Sequence, residues 1–216
     1  YQGNMQFIFA LVDSTGNHAT EMDSKTNADL ASQPRSFPRV YGATFIKAGD
    51  ATDALMRLRE GTGGEFGNMV LQGNAQYGIL NGDCGEESKT QDLSSTGSTF
   101  PDYLYISQNN IIATRTANNT VAPFRVTGCG WDSTPSAITD SPSLLLVPAQ
   151  WESTVTQIDP RPAPGSPAFS NVDSVPSDSF FTKTSYKGAF DSDLWLSGWS
   201  LLDANALLPA NEYPSS

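Results

Sequence analysis

The sequence predicts an all-β protein, and three observations carry that expectation. Only 16% of the 216 residues are charged, while Gly (18) and Pro (14) are abundant, a mix that favours short strands and many turns over helices. Short apolar runs recur, and Gly, Asn or Asp punctuates nearly every gap between them. The runs starting at 40, 54, 68 and 77 are separated by 14, 14 and 9 residues. Two or three such strands make one turn of roughly 20–30 residues, the repeat scale of a β-solenoid. A β-sandwich has the same strand spacing and stands as the alternative.

In chain order, MQFIFALV (5–12) reads as a buried strand, and 13–39 as a polar, turn-rich connection ending in QPRSFPR. Strands are then expected at 40–48, 54–60, 68–74, 77–83, 103–116, 122–128 and 143–149. In ALMRLRE, Met56 and Leu58 face one side and Arg57 and Arg59 the other, the period of a half-buried strand. The asparagines of SQNNII suit turns that stack Asn side chains from coil to coil. GTGGEFG (61–67) is expected to be a tight turn, because it fits neither glycine-rich nucleotide fingerprint. From 159 the character changes. The prolines of DPRPAPGSPAFSNVDSVPSD preclude a central strand, so this stretch reads as extended chain lying along a surface. An aromatic stretch follows, and LLDANALL (201–208) offers one or two helical turns. The expected organisation is therefore 1–39, an N-terminal strand and connection; 40–158, five or six coils; and 159–216, a capping tail.

The net charge of −11 and pI near 4.3 argue against a nucleic-acid partner, whose phosphates would be repelled. No apolar run approaches the ~20 residues of a transmembrane helix. The chain opens at Tyr1 without a basic, apolar, small-residue leader, as expected of a mature or partial product. Cys84 and Cys129 are too few for a disulfide framework and stand in no CxxC. In an oxidising compartment they are expected to pair, closing a loop worth roughly 3–4 kcal/mol. A sequon places a glycosylation candidate at Asn118.

Several stretches resemble a known group. RSFPRVYGATFIKAGDATDALMRLREGTGGEFGNMVL, IDPRPAPGSPAF and SFFTKTSYKGAFDSDLWLSGWSLL are similar to the C-terminal half of large secreted bacterial surface proteins with a right-handed parallel β-helix. The resemblance spans most of 34–208. It implies a β-helix whose final coils are covered by an extended tail. It carries no activity and no catalytic residue, but it favours the solenoid over the sandwich. It also implies further coils upstream of the ones present, which raises the question of what covers the first coil. A second copy of the chain, stacked end to end, is one answer.

The residues that bear chemistry are few. His18, the single histidine, sits in a polar turn and is expected to be solvated. Asp191/Asp193 and Asp50/Asp53 are spaced for general acid–base work on a glycoside or for a Ca²⁺ ion. Arg57, Arg59 and Lys47, if stacked on one outward face, would contact an acidic glycan, as in a polysaccharide lyase; the alternative is that they pair with acidic neighbours. Arg161, between prolines, is expected to anchor the tail through a bidentate bond. Phe180, Phe181, Tyr186, Phe190, Trp195 and Trp199 are expected to be its apolar anchors, each ring covering 150–250 Å² when buried. Exposed, they would instead form a sugar-stacking platform. The leading expectation is an extracellular or cell-surface structural module, whether scaffold, adhesin or filament subunit, without a catalytic site or cofactor. A polysaccharide-binding or lyase-like protein on the same fold is the alternative.

Overall fold

The structure, a computed structural model, describes residues 1–24, 34–49, 53–82, 104–115, 124–127, 144–147 and 156–214. Ten parallel strands wind into two facing sheets. The first sheet holds β1 (Asn4–Val12), β3 (Arg39–Lys47), β5 (Gly64–Gly67), β6 (Val70–Asn74), β8 (Leu104–Ile106) and β9 (Ile111–Arg115). The second holds β2 (Thr20–Met22), β4 (Ala54–Leu58), β7 (Tyr77–Gly82) and β10 (Phe124–Thr127), in the order β10-β7-β4-β2. The chain alternates between them, so each circuit adds one layer to both. This is a parallel β-helix, as expected. Four coils have strands in both sheets among the described residues.

Registers show where coils grow. Asn4 pairs with Arg39, Arg39 with Glu65 and Glu65 with Tyr105, so successive coils advance by 35, 26 and 40 residues. Only the second has the length expected of a bare coil. The others carry insertions, which is why strand spacing alone overcounts coils. The first coil is β1 with β2, so the solenoid begins inside the stretch expected to be a strand and connection.

The interior is built by stacking like on like. Val40, Phe66 and Ile106 are register partners, as are Phe45, Leu71 and Ile112, and Met56, Ile79 and Phe124. All nine belong to the central apolar cluster. Met56 and Leu58 point inward and Arg57 outward, as the alternation predicts. The first sheet is apolar on its outer face too. Ile46, Val70 and Ile111 form a second buried cluster with Leu144, Leu145, Ile158 and Ala168. A strand apolar on both faces must be covered on both, and the tail supplies the outer cover.

One bend recurs in the first sheet. Phe7 (φ 56°), Gly42 (φ 65°) and Asn68 (φ 52°) lie at the same level of successive coils, all left-handed. In the fourth coil Asn110 spans the bend: its Oδ1 accepts from Met69 N (2.9 Å) and its Nδ2 donates to Phe66 O (3.0 Å). Of the two asparagines of SQNNII, Asn110 thus ties one coil to the next through backbone groups, while Asn109 Nδ2 donates to Asp173 of the tail. GTGGEFG is only half a turn. The chain reverses at Glu60 and Gly61, and Gly64–Gly67 is strand β5, whose small residues leave room for Tyr41 against Gly67.

The tail's first strand, β12 (Asp159–Pro162), pairs antiparallel with β11 (Leu145–Val147), and its described residues run past α1 (Leu201–Ala204) to 214. No helix among the described residues is long and apolar enough to cross a membrane.

Candidate functional site

The expected cationic face is not assembled. Arg57 stands on β4, and its Nη1 lies 3.6 Å from Asp53 Oδ2. Arg59, just past β4, is held by three carboxylates: Asp23 at 2.8 Å, Glu21 at 3.1 Å and Glu60 at 3.6 Å. The Asp23 hydrogen bond leads in raising its pKa. Lys47 belongs to the other sheet, at the end of β3, fully buried. Its Nζ donates to the carbonyls of Gly16 and Asn17. Burial pushes its pKa down, and Asp13 and Asp53 oppose that. A two-residue period places Arg57 and Arg59 on one side of a strand, but it does not reveal that Lys47 lies around a corner of the coil.

His18 is not a solvated turn residue. Its side chain is only 6% exposed, and its Nε2 lies 3.6 Å from Asp53 Oδ2. Its Nδ1 is 2.6 Å from Ala54 O, so that nitrogen carries the proton. Asp53 therefore stands between His18 and Arg57, tying the first coil to the second. The sequence holds no signal for the His18–Asp53 contact, because the two residues lie 35 positions apart and meet only through coil stacking.

The tail is fastened by polar groups as well as rings. Arg161 is almost fully buried and forms two bonds to Asp159, Nη2 to Oδ2 at 2.7 Å and Nε to Oδ1 at 2.9 Å. It also donates to Ser192 O, Asn211 Oδ1 and Glu212 O, and its guanidinium lies over the Tyr213 ring. The expected bidentate anchor is thus present, on the residue two positions before it. Side-chain amides of the solenoid read the tail's backbone as a strand would: Gln6 pairs with Thr182 N and O, and Asn68 with Asp173 N and O. Gly188, at φ 88°, lies so close to the solenoid that a Cβ would sit 2.6 Å from Thr44 Oγ1. Beside it, Lys187 is fully buried, and its Nζ has no hydrogen-bond partner among the described residues. Burial pushes its pKa down, which Asp173 partly offsets.

The six aromatics divide. Phe181 and Phe190 are buried, and Tyr186 and Trp195 are half-buried. Phe180 (52%) and Trp199 (69%) remain exposed, so these two are not buried anchors. Phe9 meets Phe190 edge-on, Phe190 stacks on Trp195 (4.9 Å, 12°), and Trp195 stacks on Trp199 (6.0 Å, 12°). This column runs from the first coil into solvent. Trp199 is left outermost because its neighbour already occupies the last face that the solenoid offers. Beside the column, Phe7, Tyr186, Ala189, Asp191, Asp193 and Trp195 line a cleft of about 430 Å³. Asp191 and Asp193 thus line one cleft. A second groove runs from the first coil to α1, between Ala10, Leu11, Ala19, Leu202 and Leu207.

Among the described residues no three His, Cys, Asp or Glu side chains gather as a metal site. Cys84, Cys129, Asn118 and Asp50 lie outside the described residues. A family model described as a pectate-lyase-like β-helix domain matches residues 1–138. No curated protein and no solved structure matches the chain.

Proposed function

The chain belongs to the pectate-lyase-like β-helix domain family, and we propose that it serves as a structural module outside the cell, a scaffold or filament subunit that assembles through its first coil. One observation carries this reading. Among the described residues β1 and β2 are both edge strands at the same end of the solenoid, and the apolar residues turned inward there, Met5, Ile8, Ala10 and Met22 of the two strands and Ala19 just before β2, are only partly buried. A parallel edge over half-covered core is a template for another strand. The groove between the first coil and α1 extends this apolar face, and Leu201 beside it is 79% exposed.

The occupant proposed is a second copy, whose far-end strands β8, β9 and β10 are the opposite edges of the same two sheets. Such a contact is heterologous, so it propagates into a row rather than closing as a dimer. The lyase alternative is less well supported, since Arg57 and Arg59 are already neutralised by carboxylates and Lys47 is buried on carbonyls. Sedimentation velocity over a concentration series tests the proposal. The expected result is a weight-average coefficient that rises with concentration, and that stays constant for Met22→Lys. The lysine stem can lie along the coil while its ammonium blocks the next layer. A wild-type protein that remains a monomer throughout would overturn it.

A further inference from the structure

The cleft beside the aromatic column takes one wall, Phe7, from the outer side of β1 and the rest from the tail, and its chemistry is one-sided. Asp191 Oδ1 accepts from Asp193 N (2.9 Å), and Asp193 Oδ1 accepts from Asn211 Nδ2 (3.1 Å). These bonds fix both carboxylates in place. Neither forms an ion pair with a described residue, and the second oxygen of each accepts no hydrogen bond there. The Tyr186 hydroxyl is also without a hydrogen-bond partner among the described residues, and burial with the Asp191 charge raises its pKa. The Trp195 indole N–H is spent on Ala189 O, so that ring offers the cleft only carbon. The walls thus present acceptors, negative charge and aromatic carbon, and no cation.

Phe7 makes the arrangement specific. At its level in the next two coils the left-handed bend is made by Gly42 and Asn68, residues that tolerate it. A phenylalanine there costs about 1 kcal/mol or more, and its ring joins none of the buried apolar clusters. It lines the cleft instead. Its ring thus forms one aromatic wall of the cleft, opposite side chains supplied by the tail.

We infer that this cleft binds an organic ammonium group, with Asp191 and Asp193 facing the nitrogen and Phe7, Tyr186 and Trp195 covering the carbons around it. The net charge of −11 attracts such a ligand and repels uronic-acid polymers. A bare Ca²⁺ would want six to eight oxygens, and an aromatic wall cannot supply them. Aromatic faces beside an ammonium contribute further attraction.

Titrating the full chain with choline and, separately, with glucosamine tests this, following the Trp195 indole N–H signal by NMR at constant ionic strength. A saturable shift with either supports the inference, and the tighter of the two tells a quaternary headgroup from an amino sugar. Asp191→Asn is expected to weaken binding about tenfold, the loss of one charged contact. Phe7→Gly is expected to abolish it while leaving the melting temperature unchanged or raised, because glycine relieves the left-handed strain. Saturation by neither ammonium, an equal response to Ca²⁺ alone, or unaltered binding by a folded Phe7→Gly variant would each overturn it.

Discussion

Arg161 and Asp159 share a four-residue strand and grip each other fork to fork, at 2.7 and 2.9 Å, with both side chains almost fully buried. The pair lies within the tail, yet it governs how the tail meets itself. From this one guanidinium, bonds reach Ser192, Asn211 and Glu212, so the start, middle and end of residues 159–214 converge on it. Removing one partner of such a pair strands a buried charge, which costs about 3–5 kcal/mol. Arg161→Met is therefore expected to loosen the tail while the coils stay folded. Hydrogen exchange would show lost protection in 190–214 with protection kept in Arg39–Lys47. Arg161→Lys would restore only part, since an ammonium cannot form the planar fork.

Lys187 makes the opposite prediction. Its ammonium is buried without a hydrogen-bond partner among the described residues, a cost the fold bears. Lys187→Met keeps the length and removes the charge, and is expected to stabilise the protein by about 1–3 kcal/mol. The sign with pH follows from the lowered pKa. Between the folded value and the ordinary 10.5, the unfolded chain binds more protons, so wild-type stability rises with pH. The advantage of the variant should accordingly shrink as pH climbs towards 10.5. Denaturant midpoints of the two proteins at pH 7 and at pH 9.5–10 check this.

Asp178 ties the tail to the first coil. The backbone N–H of Phe180, then the Asn4 amide and the Arg39 charge, hold its carboxyl below the usual 3.8. A depressed acid contributes its stability above its unfolded value and loses it as pH falls through the folded one. Acidification from pH 5 to below 3.8 is thus expected to free residues near Phe180 before the coils melt. Cleavage around Thr182 and Lys183 by an acid-active protease below pH 3.8 would report it. Asp178→Asn should show the same cleavage already at neutral pH.

Much of this was legible in the chain. Strand positions from MQFIFALV to YGILNGD follow from alternation and punctuation, and the anchoring role of Arg161 follows from a guanidinium set among prolines. What could not be read depends on stacking. Gly64–Gly67 looks like a turn because two glycines and a glutamate surround its one strand-forming residue, Phe66, and only the pairing with Arg39–Tyr41 and Leu104–Ile106 makes it a strand. His18 and Asp53 meet because coils of 35 and 36 residues bring Asn4 over Arg39 and Thr20 over Met56, lengths no local pattern encodes. Trp199 was expected to be buried because aromatic content measures how much surface a segment wants to cover, not how much is on offer.

The assembly reading rests on the open edge of β1 and β2. Electron microscopy of the purified, undenatured protein tests it most directly. Rows of modules joined end to end, absent in Met22→Lys, are the predicted result. Single particles of one module at the same concentration, alike in wild type and variant, would contradict it.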